Sequence, residues 1–243
     1  MHIPNGFLDP KVSAGTAFVA AGVLGYSIAK VKQALSVFVP ESVLAGAGNI
    51  SCTITEGSKK LMSSFAENHL MRMGAIGSLI FAAQMFNFPI ANGTSGHLIG
   101  GIIAAIAVGP FSGALVISAV LVVQSLFFAD GGIMALGANI LNMAIIGTLA
   151  CYYIYYIIHK LIRNRAGSYA GIFLAAFFSV LAASIACAFE VALSGTIELS
   201  NILPAMASVH AKIGIAEALI TIMAIEILKS VNLELDGMIK NEE

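Results

Sequence analysis

Apolar positions fall in long blocks along this chain, without the alternating or one-sided patterns of a water-soluble fold. Seven blocks stand out, near residues 12–31, 72–88, 97–109, 111–129, 134–158, 168–193 and 206–229. Most approach or exceed the ~20 residues that carry a helix across a ~30 Å hydrocarbon core. The breaks hold turn-forming residues: Pro89 to Gly96, Gly109-Pro110, Asp130-Gly131-Gly132, Arg163 to Gly167, and Ser194 to Pro204. The pattern predicts an all-α membrane protein, a polytopic bundle of about seven transmembrane helices forming one domain over residues 1–243. The third block is the odd one, because ~12 helical residues extend only about 18 Å. Either this helix sits deep, or Ile90 to Gly96 dips into the membrane to meet it. Irregular backbone at that depth must be buried by protein or line a cavity. His97 is then expected below the outer surface, enclosed by other spans.

Composition agrees: 58% of residues are hydrophobic and 10% charged, against about 25% charged in soluble domains. Positive charge sets the orientation. With seven spans and the N-terminus outside, the cytoplasmic side receives Lys30, Lys32, Lys59, Lys60, Arg72, Lys160, Arg163, Arg165, Lys229 and Lys240, and the outside keeps Lys11 and Lys212. The N-terminus is thus expected outside and the C-terminus in the cytoplasm of a multi-pass protein of the cell membrane. Residues 33–70 read as a long cytoplasmic connection, since an eighth span there would destroy the asymmetry. His69 and His159 fall in basic cytoplasmic segments and read as solvated, while Glu190 and Glu198 read as facing outer water. No basic run suggests nucleic acid. Cys52, Cys151 and Cys187 are scattered and form no metal or disulfide framework. They read as small core residues.

The candidate chemistry lies at the chain's beginning. Pro4, Gly6, Asp9 and Pro10 precede the first apolar run, unlike the basic opening of a cleavable signal. The bulky His2 predicts that Met1 is retained. Met1-His2 then offers a divalent metal three nitrogens: the Met1 α-amine, the deprotonated His2 amide and the His2 imidazole. They close two chelate rings nearly in a plane, and a fourth ligand completes the square that nitrogen-rich Ni(II) and Cu(II) sites prefer. An ordinary, meaningless start is the competing reading.

His97 ends the run Asn92-Gly93-Thr94-Ser95-Gly96-His97, in which glycines allow tight folding and hydroxyls satisfy buried polar groups. Alone it reads as a helix-start histidine or a ligand. The linker of Ile3 to Pro10, stiffened by two prolines, could reach about 25 Å and tuck the N-terminus into the mouth of the bundle, which favours the ligand. His210 and Glu217 share one face of the last span. They read as shaping or gating the site, or as a structural pair. Asp130, Asn139 and Asn142 read as hydrogen-bonding loop and backbone. Small-residue faces, Ala17, Ala21 and Gly25 in the first span and Gly74, Ser78 and Ala82 in the second, suit close helix packing, internal or with a partner.

The opening Met1-His2-Ile3-Pro4-Asn5-Gly6-Phe7-Leu8 resembles the nickel/cobalt substrate-capture subunits of energy-coupling-factor transporters, the CbiM/NikM family. The resemblance continues through Phe81 to Met85, Gly93 to His97, Phe127 to Gly132, Leu136 to Met143 and His210 to Ala218. It implies metal held by the Met1 amine, the His2 amide and imidazole, and the His97 imidazole, within a seven-helix bundle that buries the N-terminus. It implies Ni(II) or Co(II) as transported substrate, with no prosthetic group. The partners implied are a transmembrane coupling subunit, cytoplasmic ATPase subunits and a small accessory membrane subunit. Asn5 departs from the commoner aspartate, and the 33–70 connection is longer than usual.

The chain has no GxxxxGK[ST] loop, so ATP hydrolysis is expected on separate subunits and the chain is not expected to be an enzyme. Two other functions fit parts of the sequence. Gly93-Thr94-Ser95-Gly96 with His210 matches the serine and histidine of a rhomboid-like intramembrane protease, but the chain lacks tryptophan and so lacks that family's Trp-Arg loop. A passive metal channel conflicts with a closed nitrogen chelate, which holds its ion too tightly for fast conduction.

Overall fold

The computed structural model describes residues 2–37, 53–85, 88–89, 95–233 and 235–238. Among the described residues seven helices follow one another: α1 Pro10–Val37, α2 Thr53–Gln84, α3 Gly101–Val108, α4 Pro110–Phe127, α5 over 136–161, α6 Arg165–Leu193 and α7 Leu199–Ser230. A two-residue antiparallel pairing, β1 Phe88–Pro89 with β2 Ser95–Gly96, precedes α3. Of these helices, α1, α4, α5 and α6 are long and apolar enough to span a membrane by length and composition. Large apolar side chains on the outside, such as Phe18 at 82% and Phe127 at 77% exposure, suit hydrocarbon and not water. The protein is an all-helical membrane bundle.

Local chemistry explains the boundaries. Pro110 opens α4 directly after Gly109, where its missing N–H costs nothing. Asn164 caps α6 by accepting from the Gly167 amide at 2.8 Å. Within α5, Leu141–Ala150 winds as a wide π-helix, and the Thr148 hydroxyl donates to the Met143 carbonyl five residues back.

The short third helix is real and shorter than the hydropathy suggests. All eight residues of α3 are buried, and it packs against α2, α4, α5, α6 and α7. It is the axle of the bundle. Within the 33–70 connection, residues 33–37 continue α1 and 53–70 belong to α2, so the second helix begins well before the apolar block at 72. Residues 38–52, with Cys52, lie outside the described residues. The last helix also starts earlier than expected, at Leu199, and includes Pro204.

Candidate metal centre

The arm before α1 lies in the bundle. Ile3 is 1% exposed, and its side chain belongs to the main apolar core. Burying such a side chain stabilises the docked arm by about 1.5–3 kcal/mol. Asn139 at the start of α5 grips the Ile3 backbone from both sides. Its Oδ1 accepts from the Ile3 N–H at 2.8 Å, and its Nδ2 donates to the Ile3 carbonyl at 3.3 Å. The Gly132 amide donates to the same carbonyl at 2.8 Å. Farther along, the Met134 amide donates to Asn5 Oδ1 and the Thr196 hydroxyl to the Phe7 carbonyl. The Asp130-Gly131-Gly132 turn is the floor beneath the arm. A Cβ on Gly132 would lie 2.5 Å from the Asn5 nitrogen, so only glycine lets the two strands of backbone approach.

These contacts bring His2 to His97. The two rings stack with centroids 4.5 Å apart and planes 23° apart, and both residues are buried. His97 Nδ1 engages the Leu98 carbonyl at 2.6 Å, which assigns the proton to Nδ1 and the lone pair to Nε2. That Nε2 has no hydrogen-bond partner. His2 Nε2 is also buried without a hydrogen bond, 3.7 Å from an Asp130 carboxylate oxygen. A chelate through the His2 amide closes a six-membered ring at Nδ1, leaving Nε2–H directed toward Asp130, a common way of orienting ligating histidines. Burial pushes the His2 imidazole down to about 3. It is therefore neutral at physiological pH, the form that ligates. Among the described residues, no three His, Cys, Asp or Glu side chains gather into a metal cluster. A metal here needs main-chain or terminal nitrogen.

The loop carrying His97 is fixed just after that residue from two helices. Glu217 of α7 accepts from the Ile99 amide at 2.9 Å and the Gly100 amide at 2.7 Å, and Gln84 of α2 donates to the Ile99 carbonyl at 2.6 Å. His210 Nδ1 bonds the Met206 carbonyl within its own helix, and its buried Nε2 has no partner. Ser95 pairs through its backbone with Pro89, while its side chain lies outside the described residues, as do Met1, Gly93 and Thr94.

Several residues are not where their sequence context puts them. His69 and His159 are buried, not solvated: His69 lies between Asp236 and Ser112, and His159 bonds Ser168. Glu190 is buried and accepts from Asn142 Nδ2 at 2.6 Å, whereas Glu198 is exposed as expected. The partners of His69 and Glu190 are remote in the chain, whereas Ser168 lies nine residues from His159. Cys151 and Cys187 are buried. Asn139, read as hydrogen-bonding backbone, does so on the arm, while Gln84, met in the sequence only within the Phe81 to Met85 segment, holds the Ile99 carbonyl beside His97.

Fold and site together define a membrane bundle that folds its own N-terminal arm into its core. The chain belongs to the family described as CbiM, the cobalt uptake substrate-specific transmembrane region, whose family model matches residues 35–235. A relative from Archaeoglobus fulgidus, provisionally named a fused nickel transport protein NikMN, is 38% identical over 91% of this chain and 63% of its own length. The chain thus spans less than two thirds of that relative. The cobalt transport protein CbiM of Thermosipho melanesiensis is 32% identical over 68% of this chain and 71% of its own. The crystal structure of a truncated transition metal transporter matches with a TM-score of 0.73 and 29% identity. It covers 95% of this chain and 99% of that one.

Proposed function

We propose that this protein is the substrate-specific membrane component of an energy-coupling-factor transporter, capturing Ni(II) or Co(II) on the outer side for ATP-driven uptake. The Met1 α-amine, the His2 amide and imidazole and the His97 imidazole form the ligand set. The observation that carries the reading is the docked arm, which brings His2 over a His97 whose buried Nε2 has no partner. Such orphaned nitrogens are costly in a dry interior, and a bound cation would repay them. Four nitrogens in a plane favour nickel over cobalt. Glu217 holds the His97 loop, and Ser95 and His210 shape or gate the site.

The outside position of the arm is supported by the lysine distribution and by Lys30, Lys160 and Lys229, each over a tyrosine ring near the expected cytoplasmic end of its helix. Lysine and tyrosine together favour the membrane interface. ATP hydrolysis belongs to separate subunits, joined through a transmembrane coupling partner and a small accessory membrane subunit. The small-residue face of α2, with Gly74, Ser78 and Ala82 all exposed, is open to such a partner. The protein is not an enzyme in this reading. A protease using Ser95 and His210 would leave the elaborate docking of the arm without a purpose.

Titration of purified protein with Ni(II) tests the ligand set. His97→Ala should lose more than the 10–100-fold typical of residues outside the ligand set, whereas His159→Ala should bind like the parent. Parent-like affinity in His97→Ala would remove that residue from the site.

A further inference from the structure

The helix that carries the His97 loop at its start is held at its far end by a segment the metal chemistry does not use. After α7 the chain returns, and Leu235–Met238 crosses the C-terminal end of α3. The last carbonyls of a helix lack intrahelical donors, and inside a membrane protein they must find others. Here the Gly237 amide donates to the Ile106 carbonyl at 3.0 Å and the Asp236 amide to the Ala107 carbonyl at 3.4 Å. The approach is so close that a Cβ on Gly237 would lie 2.0 Å from the Ala105 oxygen.

Side chains fasten the same segment to the neighbouring helices. The Tyr152 hydroxyl of α5 donates to the Gly237 carbonyl at 2.7 Å. The Asp236 carboxylate meets Arg72 at 3.0 Å and His69 Nδ1 at 3.1 Å, both on α2. His69 Nε2 in turn reaches Ser112 of α4 at 2.9 Å. Although partial burial opposes it, hydrogen bonds from His69 and Arg72 hold the Asp236 carboxyl below its usual range. Beside the segment lies a cavity of about 560 Å³, lined also by Lys30, Phe111 and Arg72.

We propose that Leu235–Met238 is a strap that positions His97 from the opposite end of the bundle, with Asp236, Gly237 and Tyr152 as its positioning residues. The inference rests on the reading of His97 as a metal ligand. α3 is an eight-residue, fully buried helix, pinned just before its start by Glu217 through Ile99 and Gly100 and at its end by the strap. Freeing the end lets the helix tilt, and the His97 ring moves with its start. Because the strap lies at the expected cytoplasmic end, a partner that withdraws it would loosen the metal site without touching it. By reciprocity, metal at the site must tighten the strap by the same factor.

Hydrogen exchange on the full chain, combined with Ni(II) titration, tests this. Gly237→Ala is the strongest change, and Asp236→Asn and Tyr152→Phe keep the test open if that variant misfolds. The expected result is reduced protection of the peptide containing His97 to Gly101 in each folded strap variant, even without metal. Nickel affinity should fall ~5-fold or more, with an altered nickel absorption spectrum, and nickel should raise protection at Asp236 and Gly237 in the parent. A released strap with parent-like protection at His97 to Gly101 would overturn the proposal. If the parent itself binds no nickel, the metal reading fails separately, and the metal-free exchange still decides whether the strap positions the loop.

Discussion

Asn139 binds the backbone of Ile3 through both ends of its carboxamide, so one side chain at the start of α5 fixes the N-terminal arm next to its metal-facing end. The arm carries His2, and His2 must arrive at His97 with its ring correctly turned. Each such hydrogen bond contributes about 1 kcal/mol, and leaving buried groups unpaired costs about 1–3 kcal/mol.

Asn139→Ala should therefore lower nickel affinity by roughly 5- to 150-fold, on the order of 1–3 kcal/mol, without unfolding the bundle. Titration alongside circular dichroism checks both halves. Unchanged affinity would mean that the arm finds its place without this grip.

Acid should release the arm before it unfolds the helices. Burial depresses the His2 imidazole to about 3 in the docked arm, while a solvated imidazole titrates near 6.5. The undocked arm therefore binds the extra proton, and docking weakens as pH falls below about 6.5, with the loss growing toward 3. A spin label on Asn5→Cys, in a background without other cysteines, should become mobile over that range. A label that stays immobile to pH 4 would contradict the linkage.

The sequence was most legible where one segment carries its own signal. The short third helix, the Gly-Pro break before α4 and the proline-stiffened arm are local features, and each appears in the structure. What the sequence hid were pairings between distant residues. His69 is buried because Asp236 returns to it, and Glu190 is buried because Asn142 faces it. Charge in 53–70 masked the start of α2, since hydropathy registers solvation and not backbone hydrogen bonding. The double role of Asp130-Gly131-Gly132, as turn and as floor for the arm, depends on a close approach that no spacing announces.

The central claim is that the chain's own amino terminus binds the metal, and the most direct measurement is the metal content of two purified forms. One carries a single extra residue before Met1, the other a tag at the C-terminus. Extension moves the α-amine out of the chelate and forces added bulk into a buried site. The extended form should retain only background nickel, whereas the C-terminally tagged form should load fully at pH 7.5. Equal nickel in both would contradict the account, and the docked arm would then be a structural plug.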